Sequence, residues 1–175
     1  MVRDARPGGG YLYDVLEDYY RDSRVRPNQI FAASLNYSPI APEIGRRVVD
    51  MVAAKLLVPC ALRTLAPGED GYRGSYLGDV AERESAYHQG TAWMWLLAPY
   101  ARAHIRVYGY NREHLRKLLE PILELLKRRA VGHLPEILDG DAPHTPRGTF
   151  AHASSTAAVL EILAMLKSPP KFGEM

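Results

Sequence analysis

Two stretches of this 175-residue chain concentrate groups able to do chemistry. The first, 132–148, reads Gly-His-Leu-Pro-Glu-Ile-Leu-Asp-Gly-Asp-Ala-Pro-His-Thr-Pro-Arg-Gly. It sets Glu136, Asp139 and Asp141 beside His133, His144 and Arg147. Carboxylates at this density suit general acid or base work on water or a hydroxyl. The second, 83–95, carries Tyr87, His88 and Gln89 just ahead of Trp93 and Trp95. Flat aromatic faces cover the C–H patches of a pyranose, and amides and imidazoles bond its hydroxyls, so this combination suits a sugar. Each stretch also has a plainer reading. The acids of the first belong equally to a solvated, turn-rich linker that caps the next helix. Trp93 and Trp95, at i and i+2, point to different sides of a helix, so at least one belongs to the core.

Other chemistries find less support. His133, His144 and His152 with Asp139 and Asp141 are donors zinc accepts, but their spacing fits no HExxH or two-His, one-carboxylate helical motif. No Gly-rich phosphate loop follows a strand and no GxSxG elbow occurs. Cys60 follows a helix in apolar company and reads as packing. No metal and no cofactor is therefore expected.

The elements that hold these stretches are mostly helical by pattern. Pro135, Pro143 and Pro146 each remove a backbone donor and fix φ, so the acidic stretch is a loop held by helices on both sides. Ile44, Val48, Met51, Val52 and Leu56 mark one helical face over 42–58. Ala92 to Tyr100 is almost wholly apolar, predicting a buried helix over 91–108 with Thr91 as N-cap and Gly109 as its end. Asn111 caps a helix to about Ala130 with a stripe of Leu115, Leu118, Leu119, Ile122, Leu123 and Leu126. A last helix spans 154–167, with Val159, Leu160, Ile162, Leu163 and Leu166 inward. A short one, Ile30 to Leu35, starts under an Asn28 cap. Residues 60–90 show no helical period and contain a long ordered loop rich in Gly and Tyr. The expected class is all-α, with helix pairs separated by long loops. The division is 1–27 as a leading segment, 28–167 as the domain, and 168–175 as a frayed tail.

Composition bounds the partners. The net charge is +2, too small a field to attract nucleic acid or an anionic membrane. One cysteine excludes an internal disulfide. No apolar run reaches membrane-span length and the N-terminus lacks a signal-peptide core, so a soluble, cytoplasmic protein is expected.

Several motifs occur together in one order: Arg26-Pro27-Asn28-Gln29, Tyr72-Arg73-Gly74, Tyr87-His88-Gln89-Gly90-Thr91, Trp93, Trp95, Glu136-Ile137-Leu138-Asp139-Gly140-Asp141 and Pro146-Arg147-Gly148. In this the chain resembles, over roughly residues 11 to 166, the C-terminal part of the amylo-α-1,6-glucosidase domain of glycogen debranching enzymes. The resemblance implies a partial (α/α)6 barrel, about its last five or six helices. It implies inverting hydrolysis of the α-1,6-linked glucose at glycogen branch points, with an α-glucan as the partner. It places the general base at Glu136 and a glucose pocket at Asn28, Tyr87, His88, Gln89 and Trp93, with Asp139 touching sugar or ordering the loop. The family's general acid lies upstream of the matched part. An upstream polypeptide, or self-association, would then complete the barrel. The alternative is a non-catalytic α-glucan-binding or interaction module derived from that domain. Two local departures stand out: Trp93-Met94-Trp95 where the family has Trp-Pro-Trp, and His152-Ala153-Ser154-Ser155 where it has Gln-Ala-Trp-Ser.

Overall fold

The computed structural model describes residues 10–128 and 132–173, without the side chain of Arg128. A hairpin of β1 (Val15–Leu16) and β2 (Arg21–Asp22) leads into α1 (Gln29–Ser34) and α2 (Pro42–Lys55). Strands β3 (Leu57–Val58) and β4 (Ala61–Arg63) follow, then α3 (Val80–Ala86) and β5 (Ala92–Trp93). A 3₁₀ turn at Met94–Leu96 opens into α4 (Leu97–Tyr108), and α5 (Arg112–Arg128) comes next. β6 (Ile137–Leu138), β7 (Pro146–Arg147) and α6 (Ala153–Lys167) complete the described order.

Strands β3 to β7 pair in sequence order as one antiparallel five-stranded sheet. Leu62 faces Trp93, Trp93 faces Ile137, and Ile137 faces Arg147. The chain is therefore mixed α/β, which overturns the all-α expectation and with it the partial (α/α)6 barrel. The physical reason is strand length. At two or three residues each, the strands are too short to show the alternation that marks a strand in sequence. Trp93, expected on a helix, sits on extended backbone at φ −109°, ψ 124°. Thr91 is fully buried and gives its hydroxyl to the Tyr87 carbonyl at 2.6 Å, so it caps no helix.

The helices form for local reasons. α2 starts with Pro at its first position, where the missing N–H costs nothing, and buries Val48, Val49 and Val52. Its Gly45 lies where a Cβ would sit 3.3 Å from Val107, which lets α2 pack closely on α4. α4 is the hub: it packs on α1, α2 and α6 and buries Leu97, Tyr100, Ala101 and Ile105. Asn111 accepts the His114 N–H at 3.0 Å and caps α5 as expected; the expected end near Ala130 lies outside the described residues. Three expectations of inward-facing leucines fail: Leu123 is 52%, Leu160 60% and Leu163 40% exposed. α6 is apolar most of the way round, so pattern alone does not choose its face. Within 60–90, α3 is an unexpected helix whose start was visible as Asp79-x-x-Glu82. Both halves of that capping box form, at 2.8 and 2.9 Å.

The ends also have structure. Leu12 donates its N–H to Gln29 Oε1 at 3.4 Å within the leading segment, while 1–9 lie outside the described residues. In the tail, Phe172 packs on the core under the Arg106 guanidinium, and Gly173 donates to the Asn36 carbonyl at 3.2 Å; Glu174 and Met175 lie outside the described residues. None of the described helices is long and apolar enough to cross a membrane.

Candidate functional site

The sheet brings the two chemically loaded stretches together. Glu136 directly precedes β6, and its backbone N–H donates to the Thr149 carbonyl at 2.9 Å, carrying the β6–β7 pairing one step further. Its carboxylate meets three partners. Oε1 accepts the Tyr87 hydroxyl at 2.5 Å, and Oε2 accepts the Thr149 amide at 3.0 Å. His152 Nε2 stands 4.0 Å from Oε1. Burial raises the Glu136 pKa, but the Tyr87 hydroxyl, the Thr149 amide and His152 outweigh it, leaving the carboxyl below its ordinary value. Glu136 is thus held as a carboxylate, the form a general base requires.

His152 is oriented in turn. Ser155 uses its hydroxyl hydrogen on the Pro135 carbonyl at 2.7 Å, so at 3.1 Å it accepts from His152 Nδ1–H. The proton of a neutral His152 is thereby assigned to Nδ1, and Nε2 is the end that faces the carboxylate.

Around this carboxylate lies an aromatic cluster. The His88 ring stacks on Trp93 at 5.2 Å and 12°. Tyr87 meets the edge of Trp93 at 4.9 Å, and Tyr76 packs on Tyr87 at 5.7 Å. Trp93 donates its indole N–H to the Tyr87 carbonyl at 3.1 Å, which fixes ring and loop together. Of the expected pocket residues, Tyr87, His88 and Trp93 therefore converge with Glu136. His88 is exposed and covers one face of Trp93.

Gln89 and Asn28 join this cluster through a hydrogen-bonded relay. Arg26 donates to Gln89 Oε1 at 2.8 Å, to the His88 carbonyl at 2.8 Å and to the Thr64 carbonyl at 3.1 Å. Burial pushes the Arg26 pKa down, and Asp14, at 3.6 Å from its Nε, opposes this. Asn28 spends its amide on Asp14 Oδ1 at 2.7 Å and makes no helix cap, contrary to expectation.

Asp139 and Asp141 act as ties between loops. Asp139, 5% exposed, accepts the Tyr76 amide at 2.7 Å and the Arg147 guanidinium at 3.0 Å. Asp141 accepts the Tyr72 hydroxyl at 2.7 Å; burial, with that bond, raises the Tyr72 pKa to about 12. The glycines in the same motifs answer to the same crossing. A Cβ on Gly140 would lie 1.9 Å from the Gly90 carbonyl oxygen. One on Gly90 would lie 2.5 Å from the Arg73 carbonyl, and one on Gly74 would fall 2.2 Å from the Asp141 carboxylate. Three loops, 72–76, 87–91 and 136–149, thus run in backbone contact, with Gly140 N–H donating to the Gly74 carbonyl at 2.6 Å.

Sequence reasoning missed His152 as a neighbour of Glu136, Tyr76 as packing for Tyr87, and Thr149 as the donor on Oε2. A signal existed for Thr149. Gly148, at φ +67°, leaves room for the carboxylate, since a Cβ there would lie 2.5 Å from Glu136 Oε2. No group of three or more His, Cys, Asp or Glu among the described residues is arranged to hold a metal ion. Cys60 is buried, which raises its thiol to about 12 and keeps it a thiol, as befits packing.

The geometry yields a pH prediction. Replacing Tyr87 by Phe removes one bond that lowers the Glu136 pKa, so that pKa rises. Any reaction needing the carboxylate should lose rate at a higher pH on the acid side. The maximum should fall about tenfold, the weight of one charge-assisted hydrogen bond. A kcat/KM profile of Tyr87→Phe with an unmoved acid limb would show that Tyr87 does not set the ionisation of Glu136.

Comparison with known proteins adds two findings. A family model described as amylo-alpha-1,6-glucosidase matches residues 5–161. Over 92 residues the chain is 32% identical to the glycogen debranching enzyme of Saccharomyces cerevisiae. That match covers 48% of this chain and 6% of the yeast enzyme, so the chain spans a small part of that relative.

Proposed function

The chain belongs to the amylo-α-1,6-glucosidase family, and from that premise we propose that it is the base-bearing part of a glycogen-debranching glucosidase. The reading is inverting hydrolysis of α-1,6-linked glucose, with Glu136 as the general base. The observation that carries it is the ionised Glu136 carboxylate, held by Tyr87 and Thr149 beside the aromatic cluster of Tyr87, His88 and Trp93. In an inverting mechanism a carboxylate on one side of the sugar takes a proton from water as that water attacks the anomeric carbon. A carboxylic acid on the other side protonates the leaving oxygen.

The acid partner is the open half of this reading. Asp139 is taken up by Tyr76 and Arg147, and Asp141 accepts the Tyr72 hydroxyl. We therefore assign the acid to a part of the debranching glucosidase outside these residues. The same observation favours a second reading, an α-glucan-binding module that performs no hydrolysis.

Glucose release from a glycogen limit dextrin separates the two. The chain is assayed alone and with the separately produced remainder of a debranching glucosidase, alongside calorimetry with isomaltose. Release only in the combined sample supports the base-bearing role. Isomaltose binding with no release in either sample supports the binding module.

A further inference from the structure

Two hydrogen-bond acceptors face each other at the edge of the aromatic cluster. Glu136 Oε1 is one, and His152 Nε2 stands 4.0 Å from it. That distance is too long for a direct hydrogen bond and is the span that a bridging water covers. We propose that His152 is the second ligand of the attacking water, holding it jointly with Glu136. The inference rests on the reading of Glu136 as general base.

Three observations support it. The first is the direction of the imidazole. Ser155, fully buried, donates its hydroxyl hydrogen to the Pro135 carbonyl at 2.7 Å and accepts from His152 Nδ1–H at 3.1 Å. A neutral ring with its proton on Nδ1 turns a bare lone pair on Nε2 toward the carboxylate. The second is the kind of molecule that fits between two acceptors, since it must donate twice. A sugar hydroxyl donates once. Water carries two O–H donors, and two bonds of about 2.8 Å opening at roughly 90–105° span about 4.0–4.4 Å. The third is that both groups are held yet reached by solvent. The His152 and Glu136 side chains are 22% and 16% exposed. Tyr87 and Thr149 fix the carboxylate, and the His152 ring meets Trp93 in a T-shaped contact at 6.5 Å.

A water held through both hydrogens presents its oxygen lone pairs away from the two acceptors, free to attack. As that oxygen bonds to the anomeric carbon, the bond to the leaving oxygen breaks, and the leaving oxygen takes its proton from the acid. Glu136 takes one proton of the water. The other stays on the new hydroxyl, which donates it in a hydrogen bond to Nε2. His152 gains no proton in the step; its contribution is the aim of the water. The resembled family has Gln at this position, so the imidazole is this chain's own arrangement.

The test pairs a crystal structure of the chain with the kinetics of glucose release from limit dextrin. Release is measured on the chain combined with the remainder of a debranching glucosidase. Assays run on the alkaline side of neutrality, where an imidazole is neutral. The crystal structure is expected to hold a water within about 3.2 Å of both Nε2 and Oε1. A direct His152–Glu136 hydrogen bond in its place overturns the proposal. His152→Ala should lower kcat about tenfold and leave KM within about twofold. Added imidazole should restore part of that loss. His152→Gln, which keeps an acceptor at similar reach, should lose less than His152→Ala. A loss shared between kcat and KM, rescued by neither imidazole nor Gln, makes His152 a packing residue and overturns the proposal. Full activity of His152→Ala also overturns it, and in both cases release by the wild type leaves the Glu136 reading standing. No release by the wild-type combination removes the Glu136 reading and this one with it.

Discussion

Replacing Glu136 by Gln is expected to lower glucose release from a limit dextrin by about 10²- to 10⁴-fold, the usual weight of a general base. The substitution is nearly isosteric. Its amide oxygen still accepts the Thr149 N–H, and its NH2 faces the Tyr87 hydroxyl, which can turn to accept from it, so the loop geometry should persist. What disappears is the negative charge and the ability to take a proton from water. The loss should therefore fall on kcat, with glucan affinity held within about threefold. An equal loss in kcat and affinity would indicate a collapsed pocket. Unchanged turnover would remove Glu136 as the base. The acid limb adds a check: Glu136 sits below its ordinary pKa, so wild-type rate should persist to lower pH than an unassisted carboxylate allows. The same depression has a stability consequence. The stabilisation is fully present above the unfolded carboxylate pKa and is lost as pH falls through the lower folded value.

The second large effect is on the scaffold. Gly140→Ala should destabilise the chain by about 2–4 kcal/mol, or lower Tm by roughly 10 °C, because the new methyl meets the Gly90 carbonyl at 1.9 Å. Neither backbone can yield cheaply. Gly140 donates to Gly74, Arg73 donates to Gln89, and Gly90 donates to the Thr64 hydroxyl at 2.9 Å. Separating the strands would break these bonds and move Tyr87 away from Glu136. Gly68→Ala is the control. Its φ of +92° makes Ala unfavourable, yet nothing lies within 4 Å of the new atom, so the cost should be about 1 kcal/mol. Denaturant unfolding of the two variants separates collision from backbone preference. Equal costs would show that the crossing at Gly140 is not what requires glycine.

What the sequence determined by itself follows from short-range rules. The 3.6-residue pattern placed α2, α5 and α6, and the Asn111 side chain marked where α5 starts. Three prolines made 132–148 irregular, and the ordered motifs, with Glu136 among them, already resembled the family to which the chain belongs. Periodicity reports which face of an element is buried, and it needs several residues to do so. The five-stranded sheet lay beyond that reach, since each strand contributes two or three residues and β5 pairs on both sides with strands far away in the chain. Only the tertiary structure decided that Trp93 lies on a strand and that Asp139 is tied to Tyr76 and Arg147. It also decided that Glu136 takes its hydroxyl partner from Tyr87, 49 residues earlier. Pairings of this kind arise where loops cross, and the crossing is set by the helices packed beneath it. Gly74, Gly90 and Gly140 are the local trace of that crossing, small because another backbone or a carboxylate stands where a side chain would go.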